Sequence, residues 1–339
     1  MQRFALAARK EKAGKGARRI LEIVEKELEL VEDEFEQLVS SNIQVVNYLG
    51  NYLRESGGKR VRPALVILAN YAVGGDGRSA SIIRLATVME MLHTATLVHD
   101  DIIDNADTRR NRSSVNARYG NQAAVLMGDW LYMSAFEASL SERSLAILDI
   151  LTQLTRKMTE GELIQLTAIG RLDLTEDEYF DILRRKTAYL FSSCCEVGAL
   201  LEGADEKAQR ALREFGLDLG IIFQLSDDLL DLMADDASLG KSAGADLLEG
   251  KITLPLIYLA EKERSIVPML ERIMIDGEYG ILTREVIQQK LIDHGILNDI
   301  RSLIDRFAAD ARKNLVVLPE SEYRKCLDDL LGFLIERNS

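Results

Sequence analysis

The chain has 339 residues, of which 47% are hydrophobic and 29% charged, with a formal net charge of −13. That acidity excludes a general nucleic-acid binder, which needs a basic face, yet leaves phosphate-bearing substrates open through local cations or bound metal. Four prolines in the whole chain point to an all-α fold, because helix interiors exclude proline. Three cysteines, Cys194, Cys195 and Cys326, form neither a disulfide framework nor a metal-ligand spacing and suit a reducing, cytoplasmic setting.

Residues 1–19 are basic, with Arg3, Arg9, Lys10, Lys12, Lys15, Arg18 and Arg19. They lack the apolar core of a signal peptide and are expected to be a disordered lead-in, with peripheral membrane contact as the alternative. No apolar run is expected to span a bilayer. From Ile20 the pattern is helical: Ile20, Leu21, Val24, Leu28 and Val31 make one apolar stripe. Short glycine-bearing breaks follow at Glu55–Gly58, Gly74–Gly77, Gly170, Gly203 and Asp276–Gly277. Thr175 with Glu178 reads as a capping box. With no internal repeat and no long linker, residues 20–339 are expected to form one helical domain of roughly ten or more helices around a central cavity.

In chain order, the first segment with chemistry is Gly57-Gly-Lys59-Arg60-Val-Arg62-Pro63, which sets cations behind a diglycine. The second is Glu90-Met-Leu-His93 leading to His99-Asp100-Asp101-Ile-Ile-Asp104. Asp100 and Asp104 lie one turn apart on a helix and repel by a few tenths of a kcal/mol. Something positive belongs between them, and hard oxygen ligands favour Mg²⁺. Arg109 and Arg110 follow within two turns. Lys186-Thr187 stands mid-chain. Phe223-Gln224-Leu-Ser-Asp227-Asp228-Leu-Leu-Asp231 then repeats the aspartate geometry, with Asp227 and Asp231 on one face and Gln224 one turn earlier on it. Gly240-Lys241 and Gly250-Lys251 close the set. Two such motifs are hard to explain as two solvated helix faces, and if they face one another they make a metal clamp. Arginine grips phosphate oxygens in pairs and lysine supplies point charge, so metal, diphosphate and cations together suit departure of a diphosphate leaving group. A P-loop, a Rossmann fingerprint and a nucleophilic triad are all missing. A di-iron centre would need repeated Glu-x-x-His pairs, and only Glu90–His93 has that spacing.

The segments GGKRVRP (57–63), HDDIIDNADTRRNRSSVNARYG (99–120), GDWLY (128–132), EGELIQL (160–166), KT (186–187), FQLSDDLLD (223–231) and GK…DLLEGKITLP (240–255) resemble the trans-type isoprenyl (polyprenyl) diphosphate synthases, from about Leu53 to the C-terminus, most like the octaprenyl-type members. The resemblance implies an all-α bundle with a central cavity, a homodimer, and about three Mg²⁺ ions per site bridging carboxylates and substrate phosphates. It implies Mg²⁺ ligands at Asp100, Asp104 and Asp227, with Asp101, Asp228 and Asp231 as direct or water-mediated ligands. The allylic diphosphate would rest on Arg109, Lys186, Lys241 and Lys251, and isopentenyl diphosphate on Lys59, Arg62, His93 and Arg110. Thr187 and Gln224 would flank the reacting carbons. Gln165 stands where farnesyl-type members carry an acid.

Product length is expected to follow from what blocks the cavity below the first motif. Aromatic stops common in short-chain members are replaced by Ala95 and Thr96, Leu92 obstructs only in part, and Tyr132, Met133 and Trp130 are candidate deeper floors. The tail then gains at least one further turn, ~5.4 Å, and the product implied is about C40, of the kind that becomes a quinone side chain. The alternatives are a geranylgeranyl or farnesyl diphosphate synthase, a terpene cyclase, which would not need Lys59, Arg62 and His93, and a non-catalytic partner subunit, which would have lost an aspartate motif.

Overall fold

The computed structural model describes residues 22–55, 58–109, 112–233 and 244–336. These residues are helical almost throughout. The only strands among them are a two-stranded antiparallel ribbon, β1 (Thr108–Arg109) and β2 (Arg112–Ser113), with Thr108 opposite Ser113. The all-α expectation holds. Arg110, Lys241 and the basic residues 1–19 lie outside the described residues.

The chain divides into two compact units. The first takes the chain up to Thr155 together with Leu190–Gly216 and Asn314–Leu330. Its helices begin with α1 (Glu25–Val39), α2 (Gln44–Glu55), α3 (Val61–Ala72) and α4 (Ala80–Ile103). After the ribbon come α5 (Val115–Tyr119) and α6 (Asn121–Leu140). The unit α4 anchors is built around that helix, which packs along α6 and against α1 and α3. Helix α3 is apolar all round, and Ala64 to Ala69 are completely buried, as a core helix requires. Pro63 sits in its first turn, where no helical N–H is lost. α4 is long and apolar enough to cross a membrane by length and composition, and it alone among the described helices passes that test. This departs from the expectation drawn from the sequence. Its apolar window is 67% buried inside the protein, which is the environment of a core helix.

The second unit takes Arg156–Tyr189, Leu217–Lys313 and the chain from Leu331 onward. It holds the C-terminal part of α7 (Leu145–Ala168), then α8 (Glu176–Leu183), a single π turn (Arg184–Ala188) and the start of α9 (Tyr189–Leu201). It also holds most of α10 (Glu206–Met233), then α11 (Ala245–Leu248), α12 (Leu254–Lys262), α13 (Val267–Asp276), α14 (Arg284–Asp293), most of α15 (Ile296–Leu315) and the end of α16 (Glu322–Glu336). α12 packs on α8 and α14. The predicted capping box is present: Thr175 Oγ1 accepts from the Glu178 amide at 3.3 Å, and Glu178 accepts from the Thr175 amide at 2.9 Å. The predicted breaks after α7, α9 and α13 carry Gly170, Gly203 and Gly277 at φ of 76°, 70° and 66°, the left-handed region that glycine enters without strain.

Candidate active site

In the first unit the aspartate motif closes α4. Asp100 is half-buried, Asp104 is exposed and Asp101 is buried. Helical spacing therefore presents Asp100 and Asp104 outward and turns Asp101 inward. There it meets Arg109, whose guanidinium donates to Asp101 Oδ1 at 2.7 Å. The turn after the motif is stitched to α5. Asn116 Nδ2 donates to the backbone oxygens of Asp101 and Ala106 at 3.1 and 3.2 Å, and Ser114 Oγ donates to Ala106 O at 2.6 Å. Tyr52 OH donates to Ser113 O at 2.6 Å, tying the ribbon to α2. The turn that follows the acidic helix end and the described ribbon residues are thus held at several points.

The basic segment 58–63 opens α3. Arg60, its N-cap, has a φ of 49°, a left-handed conformation uncommon for a branch-bearing side chain. Its guanidinium bonds Glu32 and, at 2.8 Å, Glu90. Glu90 precedes His93 by one turn on α4, so this pair fixes the segment beside the turn that bears His93. Lys59 is exposed and Arg62 half-buried. Arg62 lies 5.1 Å over the Phe191 ring and opposes the burial that pushes the neighbouring Cys194 thiol up to about 12. Arg60 is thus tied into the packing between α1 and α4 through Glu32 and Glu90.

The residues tied to product length lie along α4 and α6. Leu92 and Ala95 are completely buried, and Thr96 Oγ1 donates to His93 O at 2.8 Å. Gly128 lets α6 approach α4, since a Cβ there would lie 2.2 Å from His99 Nε2. The Tyr132 ring stacks on His99 at 6.0 Å, and burial with the nearby Asp100 charge raises its hydroxyl to about 12. Met133 is 63% exposed and lines no described interior. Trp130 is half-buried.

In the second unit a cavity of about 220 Å³ gathers Gln165, Lys186, Thr187, Gln224, Asp228 and Lys251. Lys186 and Thr187 ride on the π turn. A π turn inserts one extra residue into the helical ladder and is common at functional sites. The Lys186 ammonium bonds Glu162 at 2.6 Å and also Gln165, so the residue standing in for an acid still holds the lysine. Gly161 makes this possible: a Cβ there would sit 2.6 Å from Arg185 Cβ. Thr187 Oγ1 donates to Gln224 Oε1 at 2.9 Å, Gln224 Nε2 donates to Asp228 Oδ1 at 2.8 Å, and Tyr179 OH donates to Asp228 Oδ2 at 2.6 Å. Lys251 bonds Glu249 at 2.8 Å.

The second aspartate motif sorts as the first does. Asp227 is half-buried, whereas Asp228 and Asp231 are each 3% exposed. Burial raises the Asp228 carboxyl to about 7, helped by the charges of Asp246 and Asp227 and resisted by its two donors. Asp231 Oδ2 accepts from the Asp246 amide at 3.3 Å and its backbone oxygen from Gly244 at 2.7 Å, which anchors the start of α11. The sequence groups Asp101, Asp228 and Asp231 with the metal ligands, but in the structure these three carboxylates face inward. Asp100, Asp104 and Asp227 are the more open ones. Among the described residues no three His, Cys, Asp or Glu side chains converge on a closed metal site. Sparse carboxylates of this kind fit Mg²⁺, which keeps several waters and completes its shell with substrate phosphates. Sequence reasoning missed Tyr179, Asp246 and Gly161. Gly161 and Asp246 fall inside the quoted segments EGELIQL and DLLEGK, and Tyr179 carried no local signal.

An all-α chain with an aspartate-rich helix in each unit, and with lysine, threonine and glutamine meeting the second of them around a polar cavity, has the features of a prenyltransferase. The polyprenyl synthetase family model matches residues 43–277, and the chain belongs to that family. It is 37% identical over 303 residues to the octaprenyl diphosphate synthase of Escherichia coli (strain K12), covering 89% of this chain and 93% of that protein. It is 36% identical over 292 residues to a geranylgeranyl diphosphate synthase of Methanosarcina mazei, covering 84% and 88%. Among solved structures, a decaprenyl diphosphate synthase from Rhodobacter capsulatus superposes with a TM-score of 0.89 at 34% identity, over 95% of this chain and 99% of that one. A polyprenyl synthase from Caulobacter crescentus CB15, complexed with calcium and isoprenyl diphosphate, gives 0.88 at 33%, over 95% and 98%.

Proposed function

We propose that this protein condenses isopentenyl diphosphate head-to-tail onto an allylic prenyl diphosphate and repeats the step to make a long all-trans polyprenyl diphosphate. The observation that carries the reading is the meeting of Lys186, Thr187, Gln224 and Asp228 around one cavity. Lys186 and Lys251, which line the cavity, hold the allylic diphosphate, with Lys241 and Arg109 as the further cations the family resemblance implies; Lys186 trades its bonds to Glu162 and Gln165 for phosphate oxygens. Lys59, Arg62, His93 and Arg110 hold isopentenyl diphosphate. Asp100 and Asp104 in the first unit and Asp227 in the second would each offer oxygen ligands to Mg²⁺, which would offset charge developing on the leaving diphosphate. The allylic C–O bond breaks, the electron pair leaves with diphosphate, and the isopentenyl alkene supplies the pair for the new C–C bond. A proton then passes to the released diphosphate. Gln224 Oε1 and Thr187 Oγ1 turn their oxygen lone pairs toward the electron-poor carbon.

Relatives make products from geranylgeranyl to decaprenyl length, so length is read from this chain's own residues. Small Ala95 and Thr96 leave at least one further helical turn, ~5.4 Å, open to the tail, for a product of about C40. A homodimer is part of the reading. Leu126, Met133 and Leu140 recur every seventh residue along α6 and are 68%, 63% and 48% exposed, a seam that a second copy would cover.

The test is stoichiometry in the presence of Mg²⁺. Each isopentenyl diphosphate consumed should release one diphosphate. Asp100→Ala or Asp227→Ala should lower the rate by ~10²–10³ through loss of ~3–4 kcal/mol of charge stabilisation, with helical circular dichroism retained. Diphosphate release without isopentenyl diphosphate consumption would indicate a cyclase instead.

A further inference from the structure

The hydrogen-bond chain behind Gln224 has a direction, and direction matters for an amide. Gln224 can present either its oxygen or its NH₂ to Thr187. In the structure its NH₂ faces Asp228, so its oxygen must face Thr187. Asp228 is in turn fixed through its other oxygen, which accepts from Tyr179 OH at 2.6 Å. Tyr179 is 6% exposed, and its hydroxyl is the donor bonded to that oxygen. Tyr179 lies on α8 and Thr187 on the π turn that continues it, so the chain of bonds leaves this segment, crosses to α10 and returns.

We propose that Tyr179 is a positioning residue for prenyl transfer: it holds Asp228, Asp228 orients the Gln224 amide, and that orientation turns a negative oxygen rather than a positive NH₂ toward the reacting carbon. This rests on the reading of Gln224 given above. With the tyrosine hydroxyl removed, Asp228 Oδ2 loses its donor inside the protein. The carboxylate is then free to rotate, and Gln224 populates the reversed amide. The substrate's diphosphate contacts are left in place, so binding should change little while turnover falls.

A double-mutant cycle separates this from a packing effect. Single condensations on farnesyl diphosphate are followed with labelled isopentenyl diphosphate for the parent, Tyr179→Phe, Gln224→Ala and the double variant, with thermal melts of each. Gln224→Ala should lower kcat by ~10²-fold, the scale of losing one aimed dipole. Tyr179→Phe should lower kcat by roughly tenfold with the KM for isopentenyl diphosphate within twofold, and should have less than about a twofold effect once Gln224 is alanine. Asp228→Asn, which replaces one of the two accepting oxygens with an NH₂ donor at the same volume, should lower kcat as Tyr179→Phe does even if that variant folds poorly. Equal losses from Tyr179→Phe in both backgrounds, or no loss in the parent, overturn the proposal while Gln224 keeps its role. A Gln224→Ala enzyme with unchanged kcat overturns the reading of Gln224 itself, and the proposal falls with it.

Discussion

Replacing Gly161 with alanine adds one methyl group where α7 passes the π turn. The new Cβ would lie 2.6 Å from Arg185 Cβ and 3.1 Å from Lys186 Cγ and N, against the 3.4 Å at which ordinary contact begins. Alanine is otherwise the better helix former by ~1 kcal/mol, so propensity alone would raise stability. The clash works against that gain, since overpacking of this kind costs ~1–3 kcal/mol. The net change in melting temperature should therefore be a drop of a few degrees, at ~2–4 °C per kcal/mol for a unit of this size. The chemical effect should be larger. The π turn must move by most of an ångström, and it carries Lys186, whose ammonium is seated on Glu162 and Gln165 of the same helix as Gly161. Misplacing such a group by about 1 Å can cost ~10²-fold in rate. Isopentenyl diphosphate incorporation should fall by ~10–100-fold in a protein that still melts cooperatively. A Gly161→Ala enzyme within twofold of the parent and with a raised melting temperature would show that the methyl fits, and the close-approach argument would be wrong.

Arg60→Ala leaves Glu90, 4% exposed, without the guanidinium 2.8 Å away, and should cost ~3–5 kcal/mol in urea unfolding. Adding Glu90→Gln should recover most of it, whereas a loss below about 1 kcal/mol would mean the pair is solvated. Ala95→Phe fills a completely buried position on α4 and should shorten the main product to about C15–C20 while sparing the first condensation, at an overpacking cost of ~1–3 kcal/mol; an active enzyme with unchanged products would place the tail along another wall. Burial pushes the Cys194 and Cys326 thiols up to about 12 and Cys195 well above its usual value. All three should therefore resist thiol reagents at pH 8 and react only on unfolding, and rapid labelling of the native protein would contradict the burial.

What the sequence disclosed was local. The glycine stops, the Thr175–Glu178 box and the spacing of the aspartates depend on neighbours within a turn or two, and these appear where predicted. Lys186 and Thr187 were legible through the family resemblance carried by the KT pair, since Arg184 and Arg185 beside them offer equal charge. Contacts at long range were not legible. Tyr179 reaches Asp228 across 49 residues, and Glu27, which falls on the buried face of α1, is held by Tyr71 and Arg78 from 44 and 51 residues away. Lys59, Arg60 and Arg62 looked alike in sequence. Only the left-handed turn at Arg60 and the carboxylates of Glu32 and Glu90 set one of them apart. The inward turn of Asp101, Asp228 and Asp231 follows from helix rotation relative to the packed neighbours, which periodicity alone does not fix.

The account stands on chain elongation, and mass analysis of dephosphorylated products reads that directly. Purified protein is incubated with Mg²⁺, labelled isopentenyl diphosphate and farnesyl diphosphate, with a parallel sample in excess chelator. The account predicts a Mg²⁺-dependent series of prenyl alcohols growing one isoprene unit at a time and ending near about C40. Folded protein that leaves the labelled isopentenyl diphosphate unconsumed in the presence of both primer and Mg²⁺ would contradict it.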